Sequence, residues 1–222
     1  KCIRHSNSLK VSKSGWSNVA DVAYTIWLSP RTYSDIGKHH KPTEAEIVYA
    51  IDVSTSDKQR FIVSALDYDI GLDRPGNIMI KPVQGVSSGI GRQVDDNSTY
   101  KRVYNLPAIS YYTQVSLIDD FIGFYGKGIV PGGIHNKSSR KHCYFVPEPP
   151  PNNGSLPNSF QKSDTDCVIE LNPVDTQKYY ECYQTAGGTV LIGARVEVKY
   201  FDRITLLGPA RYTLWLNPTI KQ

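Results

Sequence analysis

The sequence predicts an all-β protein: an antiparallel β-sandwich, a jelly-roll-like fold or an irregular barrel, with about 11 to 13 short strands and little or no helix. Near the C-terminus, Val196, Val198 and Tyr200 alternate with charged residues, and this two-residue period is typical of a half-buried strand. Tyrosine, which favours pleated sheets, occurs 15 times against a single methionine. With 17 glycines and 14 prolines, the chain also has the frequent turns that short strands need.

The first part of the chain contains four predicted strands. Each has apolar residues two positions apart and ends at a proline, a glycine or a polar turn. In the first strand, Tyr24, Ile26 and Leu28 lie on one face, and Pro30 ends the strand. The four strands cover residues 19–28, 46–53, 60–66 and 78–83.

The remaining strands follow a loop that is rich in glycine and serine. Ile109, Tyr111 and Thr113 share one face of a long strand, and Asp119-Asp120 predicts a tight turn into the next. The closing segments form an antiparallel meander, interrupted at Gly208-Pro209. The predicted strands cover residues 100–104, 108–117, 121–125, 142–146, 167–171, 178–184, 194–200 and the alternating segments around 204–206 and 212–216.

Composition limits the architecture and the partners. Residues 1–18 are polar and basic, so we expect an extended N-terminal arm followed by one β-rich domain over 19–222. The net charge of +4 is mild, and no run of like charges forms a basic arm, so we expect no nucleic acid partner. No apolar stretch has the length of about 20 residues that a bilayer-spanning helix requires, so we expect no membrane span.

Cysteines and glycosylation motifs indicate an extracellular environment. Because no C-x-x-C pair is present, we expect two disulfides, Cys143 with Cys167 and Cys2 with Cys182, rather than a zinc site; four buried thiols are the alternative. Three N-x-[ST] sequences lie in polar segments that are predicted to be loops. The glycosylation candidates are Asn97, Asn136 and Asn153.

Motifs for catalysis or cofactor binding are weak. The glycine-rich residues 85–91 resemble the cofactor turn of short-chain dehydrogenases, but a turn sequence follows them where that family needs a helix. His135 and His142 lack the regular spacing of metal ligands. Asp67 and Asp120 are candidate carboxylates for a glycosidase, although aspartates are common in turns. We therefore expect no cofactor, no metal and no catalytic residues.

Binding residues are expected in the long polar loops between strands, at residues 31–41, 85–99, 126–142 and 147–158. The main basic cluster lies next to aromatic residues, an arrangement that suits an acidic glycan or a receptor. The candidate binding residues are His39, His40, Arg92, Lys137, Arg140, Lys141, His142 and Tyr144.

The combined features predict a non-catalytic binding module on the surface of a virus or outside the cell. The organisation resembles, in general character, a receptor-binding or spike domain of a viral surface protein. That resemblance implies a secreted or virion-exposed glycoprotein, such as a capsid spike, that attaches to a host glycan or protein receptor. Homo-oligomers formed through exposed strand edges are compatible with this class. The alternatives are a structural capsid jelly roll and a β-sandwich carbohydrate-active enzyme.

Overall fold

A computed structural model describes most of the chain and divides it into two compact units, Lys1–Thr99 and Tyr100–Gln222. The predicted boundary between an arm and a domain at residue 18 falls inside the first unit, where Leu9 and Ser17 are both buried. The described residues are 8–28, 40–53, 60–64, 78–83, 90, 93–133, 140–148, 165–208 and 211–218.

The first unit combines helices with one small antiparallel sheet. Its strands run in the order β1-β3-β2. Leu9, Val19, Val22 and Ile80 are among the residues of its apolar core. The strands are β1 (Ser17–Asn18), β2 (Phe61–Ser64) and β3 (Met79–Pro82), and the helices are α1 (Val19–Leu28), α2 (Glu44–Asp52) and α3 (Asp96–Thr99).

The predicted strand at 19–28 is wrong, because this segment is helix α1. Its buried residues Val19, Val22 and Ala23 are three and four positions apart, which is the spacing of one helix face. The side chain of Asn18 accepts a hydrogen bond from the backbone N–H of Ala20 at 2.7 Å and so caps the helix. Tyr24 and Leu28, which predicted a strand by their alternation, are exposed, and the fold uses the helical spacing of the buried residues instead.

The predicted strand at 46–53 is also wrong, because this segment belongs to helix α2. Thr43 and Glu46 form a capping box in which each side chain bonds the other residue's backbone N–H. Ile47 is buried and Ile51 packs against the same core one helical turn later. The T-x-x-E sequence before the apolar residues was the signal for this helix.

The second unit contains two four-stranded antiparallel sheets. One has the order β11-β10-β7-β5 and the other β4-β8-β9-β6. Short helices and 3-10 turns (Val115–Leu117 and Val198–Tyr200) lie between the strands. The strands are β4 (Lys101–Arg102), β5 (Ile109–Thr113), β6 (Cys143–Phe145), β7 (Cys167–Leu171), β8 (Cys182–Gln184), β9 (Val190–Ile192), β10 (Phe201–Leu206) and β11 (Tyr212–Leu216), and the helices are α4 (Ile118–Ile122) and α5 (Pro173–Tyr179).

One apolar core takes residues from both sheets of this unit. Ile109, Ile169 and Ile204 come from the first sheet, and Phe145 and Val190 from the second. A backbone bridge between Ser110 and Val146, just after β6, joins the neighbouring edges of the two sheets. The sheet-rich, antiparallel character of the prediction is therefore confirmed, whereas the expectation of little or no helix is wrong. None of the sheets in the described residues closes into a barrel.

Three further segments of the second unit differ from the predicted strands. At 108–117, strand β5 ends at Thr113 and Val115–Leu117 forms a 3-10 turn. The predicted tight turn at Asp119-Asp120 is wrong, because both residues lie in helix α4. At 121–125, Phe121 ends the buried face of helix α4, and Gly123 follows the helix. At 178–184, α5 extends to Tyr179, and only the last three residues form strand β8. Pro173 at the first turn and Asn172 as N-cap set the start of α5, so local capping chemistry decides its conformation.

The alternation at 194–200 gives the correct buried residues but not a regular strand. Val196 and Tyr200 are buried and Val198 packs against the core, whereas Arg195, Glu197 and Lys199 are exposed. Val196 makes a single backbone bridge to Ile129, and the chain then enters a 3-10 turn. The two following strands, β10 and β11, pair antiparallel, as predicted for the closing meander.

The expected disulfide between Cys143 and Cys167 is absent, and Cys143, Cys167 and Cys182 are buried free thiols. All three lie in the core of the second unit, where Cys143 and Cys182 both flank Ile192 of the intervening strand. The Sγ of Cys143 donates to the carbonyl oxygen of Ala194 at 3.5 Å. Cysteine is among the most frequently buried residue types, so these residues serve here as core side chains. Cys2 lies outside the described residues.

Candidate functional site

The described part of the basic cluster, Arg140, Lys141, His142 and Tyr144, surrounds the start of β6. The guanidinium carbon of exposed Arg140 lies 5.2 Å from the ring centroid of Tyr144, which is a cation–π contact. Arg140 and Tyr144 are therefore brought together, as expected for a basic and aromatic surface. Lys137 lies outside the described residues.

His142 does not share the exposed surface of Arg140. It is buried, and its ring meets the ring of Tyr100 edge-on at a centroid distance of 5.8 Å. A Cβ atom on Gly193 would lie 3.6 Å from the Cδ2 of His142, so the backbone of the neighbouring strand packs closely against this ring. His142 thus contributes to packing, and the candidate surface reduces to Arg140, Lys141 and the ring of Tyr144.

A second arginine and tyrosine pair, Arg102 on β4 and Tyr104 just after it, lies at the opposite edge of the same sheet. Arg102 forms an ion pair with Glu181 at 2.8 Å, and its guanidinium carbon lies 5.6 Å from the ring centroid of exposed Tyr104. The hydroxyl of Tyr183 donates to Glu181 at 3.1 Å. Because Glu181 neutralises Arg102, this edge offers less free positive charge than the sequence suggests.

Of the other predicted binding residues, the structure describes His40. His40 belongs to the first unit, where its Nε2 lies 3.3 Å from the carboxylate of Glu46 and next to the cap of α2. The Thr43 backbone N–H and hydroxyl lower the pKa of the Glu46 carboxyl, with His40 as a smaller cause. Asn97 is exposed on α3 and accessible to a glycan. His39, Arg92, Asn136 and Asn153 lie outside the described residues.

Among the described residues, the most exposed aromatic side chains belong to a tight turn at residues 123–128, here called the aromatic tip. Phe124 is 94% exposed and Tyr125 is 87% exposed. Their rings meet edge-on with centroids 4.9 Å apart and an interplanar angle of 89°. Two neighbouring aromatic rings with so little burial form an apolar surface that has no cover in this structure.

Backbone hydrogen bonds hold the aromatic tip in one conformation. The N–H of Gly126 donates to the carbonyl of Gly123 at 2.7 Å, and the N–H of Lys127 donates to the carbonyl of Asp120 at 2.9 Å. Gly128 has a positive φ of +65°, and a Cβ atom there would overlap the carbonyl oxygen of Val196. The two exposed rings therefore stand on a turn with a defined backbone.

Charged groups surround the base of the aromatic tip. Asp119 and Asp120 are exposed on helix α4, immediately before the tip, and Lys127 is exposed within it. Below the tip, Phe121 packs edge-on against Tyr111 at a centroid distance of 5.8 Å. Burial, with the nearby Cys143 thiol as a smaller cause, raises the pKa of Tyr111 to about 12. The tip is thus aromatic at its end, bordered by charged residues of both signs and fixed to the core.

The sequence predicts a strand over 121–125, which is wrong for Phe124 and Tyr125, whereas residues 126–128 of the tip fall in the predicted binding loop 126–142. The available signal was the spacing of Gly123, Gly126 and Gly128 around Phe124 and Tyr125. Glycines so close together disfavour a regular strand and favour a tight turn.

The buried thiols are unsuited to nucleophilic chemistry. Burial raises the pKa of Cys143 to about 12 and that of Cys182 to about 11. Burial, together with Asp166, also raises the pKa of Cys167 to about 12. Because the thiolate is the reactive form, these side chains are inert near neutral pH.

Among the residues that the structure describes, no group of three or more histidine, cysteine, aspartate or glutamate side chains could hold a metal ion. None of the helices in the described ranges is long and apolar enough to cross a membrane. No protein-family model matches the chain, and no curated protein sequence is similar to it.

Proposed function

We propose that the chain is a non-catalytic, surface-exposed binding module, most consistent with an attachment domain of a viral surface protein that engages a host glycan or protein receptor. The observation that carries this proposal is the aromatic tip. Burying one large apolar side chain is worth about 1.5–3 kcal/mol. Because Phe124 and Tyr125 are both exposed, the isolated chain does not gain this free energy. A partner that covers the two rings gains it on binding.

The hydrogen-bonded backbone of the tip supports the same proposal. An aromatic anchor on a preordered turn loses little conformational entropy on binding, which favours affinity. The hydrogen bonds at Gly126, Lys127 and Gly128 provide this order before any partner arrives. Arg140 and Tyr144 provide a separate cationic and aromatic contact area in the same unit.

For the second unit we propose the finer architecture of a β-sandwich. Its support is the single apolar core to which both four-stranded sheets contribute residues, together with the bridge between Ser110 and Val146. A sandwich leaves its connecting loops at the periphery, where binding residues are commonly found.

The proposed location is extracellular or on the virion surface. Exposed Asn97 supports it, because this residue begins a glycosylation sequence. Cys143, Cys167 and Cys182 are free thiols, so disulfides give no support to an extracellular location. The location therefore depends on the binding surfaces and on Asn97.

A structural capsid protein is the second candidate function. The described residues of the second unit contain eight strands in two four-stranded sheets, and eight strands in two sheets is also the count of a jelly roll. Electron microscopy of the purified chain distinguishes the two candidates. Closed particles would favour the capsid protein, and a dispersed monomer or small oligomer would favour the attachment module.

The proposed function is tested by binding of the fluorescently labelled full chain to a panel of cultured animal cells. We expect saturable binding that unlabelled protein displaces. Treatment of the cells with glycosidases or with protease then separates a glycan receptor from a protein receptor. The absence of saturable binding on every cell type would contradict the proposed function.

A further inference from the structure

We infer that the aromatic tip is a binding site for a neutral glycan, with a sugar ring stacked on Phe124 or Tyr125. This inference rests on the proposed function and names the ligand class of its main contact. Three observations carry it: the size of the exposed aromatic surface, the chemistry of its rings and the charge at its base.

The size of the tip matches a small ligand. Two aromatic side chains contribute roughly 300–450 Å² when fully buried. A stable protein–protein interface buries about 800 Å² on each partner, so these two rings alone are too small to hold a second copy of the chain. One face of a pyranose ring is similar in size to one aromatic ring, so a single sugar can cover one of the two exposed rings and an oligosaccharide can contact both.

The chemistry of the tip suits a sugar. Aromatic rings carry negative charge on their faces, and the C–H groups on one face of a sugar ring carry partial positive charge. The exposed carboxylates of Asp119 and Asp120 are acceptors for the hydroxyl groups that border such a face. Lys127 supplies a donor on the other side of the tip sequence.

The charge at the base of the tip favours a neutral ligand. Segment 195–199 packs beside Gly128, and its exposed charges count as well. The acidic Asp119, Asp120 and Glu197 are balanced by the basic Lys127, Arg195 and Lys199, so the local charge is close to zero. A sialylated or sulfated glycan, or an anionic lipid surface, therefore gains no net electrostatic attraction. The Arg140 surface, in contrast, is positively charged and suits an acidic glycan.

The test is a glycan array that carries neutral oligosaccharides ending in galactose, mannose or N-acetylglucosamine beside their sialylated and sulfated counterparts. We expect the wild-type chain to bind one or more neutral glycans. The double variant Phe124→Ser/Tyr125→Ser should lose about tenfold in affinity, because an aromatic anchor is worth more than 1 kcal/mol. The matched control is Tyr212→Ser, which removes an exposed tyrosine on β11 and should bind normally.

A second variant tests the role of charge. In Asp119→Asn/Asp120→Asn the side chains keep oxygen acceptors but lose their charge, so the ratio of acidic to neutral glycan binding should rise about threefold. The same proteins are examined with phosphatidylcholine vesicles and by sedimentation velocity. An unchanged ratio, exclusive binding of acidic glycans, no glycan binding, tip-dependent vesicle binding or tip-dependent self-association would each overturn the inference.

The glycan site and the proposed attachment function can fail independently of each other. Cell binding that survives glycosidase treatment and the Phe124→Ser/Tyr125→Ser change would leave the attachment module in place and overturn the glycan site. Because both side chains are exposed, we expect the variants to fold. Circular dichroism and urea unfolding confirm that they do, and the Asp119→Asn/Asp120→Asn variant tests the site without removing an aromatic ring.

Discussion

At the scale of single residues, glycine positions determine where the aromatic tip stands. Gly128 adopts a backbone conformation that L side chains rarely adopt, and it also passes directly against the carbonyl oxygen of Val196. Gly188 has a similar positive φ of +82°, but no atom lies within 4 Å of the position of its missing Cβ. At Gly188 only the backbone conformation disfavours a side chain, whereas at Gly128 both the conformation and the lack of space disfavour one.

Replacement of Gly128 by alanine should destabilise the second unit more than the same change at Gly188. We expect about 1 kcal/mol for Gly188→Ala from the strained φ alone, and about 2–4 kcal/mol for Gly128→Ala from strain plus overlap. Urea unfolding of both variants measures the difference. Equal losses would contradict the close packing of the tip against Val196.

The second prediction at the residue scale concerns the reactivity of the buried thiols. In a Cys2→Ser variant, Cys143, Cys167 and Cys182 should not react with Ellman's reagent at pH 8 in the folded chain, because burial raises each thiol pKa to about 11 or 12. All three should react after addition of denaturant without reductant. A thiol that reacts rapidly in the folded chain, or a pair that fails to react in denaturant, would show that the free and buried assignment is wrong.

At the scale of elements, short-range chemistry explains where sequence reasoning succeeded and where it failed. The pair β10 and β11 was predictable, since two alternating segments flank a Gly-Pro turn. Helices α1 and α2 were not recognised, because segments of nine or ten residues with many apolar side chains fit both periods. The capping box at Thr43 was the local signal that resolves the ambiguity for α2.

The Thr43 cap gives a prediction at this scale. Thr43→Ala removes the hydroxyl that accepts from the Glu46 N–H, and loss of an N-cap costs about 1 kcal/mol. Hydrogen exchange of the α2 amides should therefore accelerate about fivefold. Thr43→Ser keeps a hydroxyl and should exchange at close to the wild-type rate. Identical exchange in all three proteins would argue against helix α2.

At the scale of the whole molecule, the antiparallel, sheet-rich character followed from composition and period, whereas the site did not. The candidate cluster at Arg140 was visible in the sequence, but its division into exposed Arg140 and buried His142 depends on the sheet that packs around it. The aromatic tip depends on a bridge between Ile129 and Val196, which are far apart in sequence. No local pattern specifies such a contact.

Buried titratable groups predict how the stability of the whole molecule depends on pH. Cys143, Cys167, Tyr111 and Tyr112 each have a pKa raised to about 12, mainly by burial. In the unfolded chain, thiols and phenols release their protons near pH 8.5 and 10, respectively. The unfolded state thus loses protons first, so the stabilising effect is complete below about pH 8.5 and decreases as the pH rises toward 12.

The free energy of unfolding should fall by about 1.4 kcal/mol per pH unit for each such group that is ionised only in the unfolded state. Urea unfolding between pH 8 and 11 measures this slope. Cys167→Ala removes one titrating group and should make the slope shallower. A free energy that is constant over this range would contradict the burial of these groups.

The most direct test of the account compares the affinity of three full-length proteins for a receptor-positive cell line: the wild type, Phe124→Ser/Tyr125→Ser and Tyr212→Ser. The account predicts that the wild type and Tyr212→Ser bind with equal affinity, and that the tip variant is about tenfold weaker. Equal binding by all three proteins would contradict the claim that a partner covers the aromatic tip.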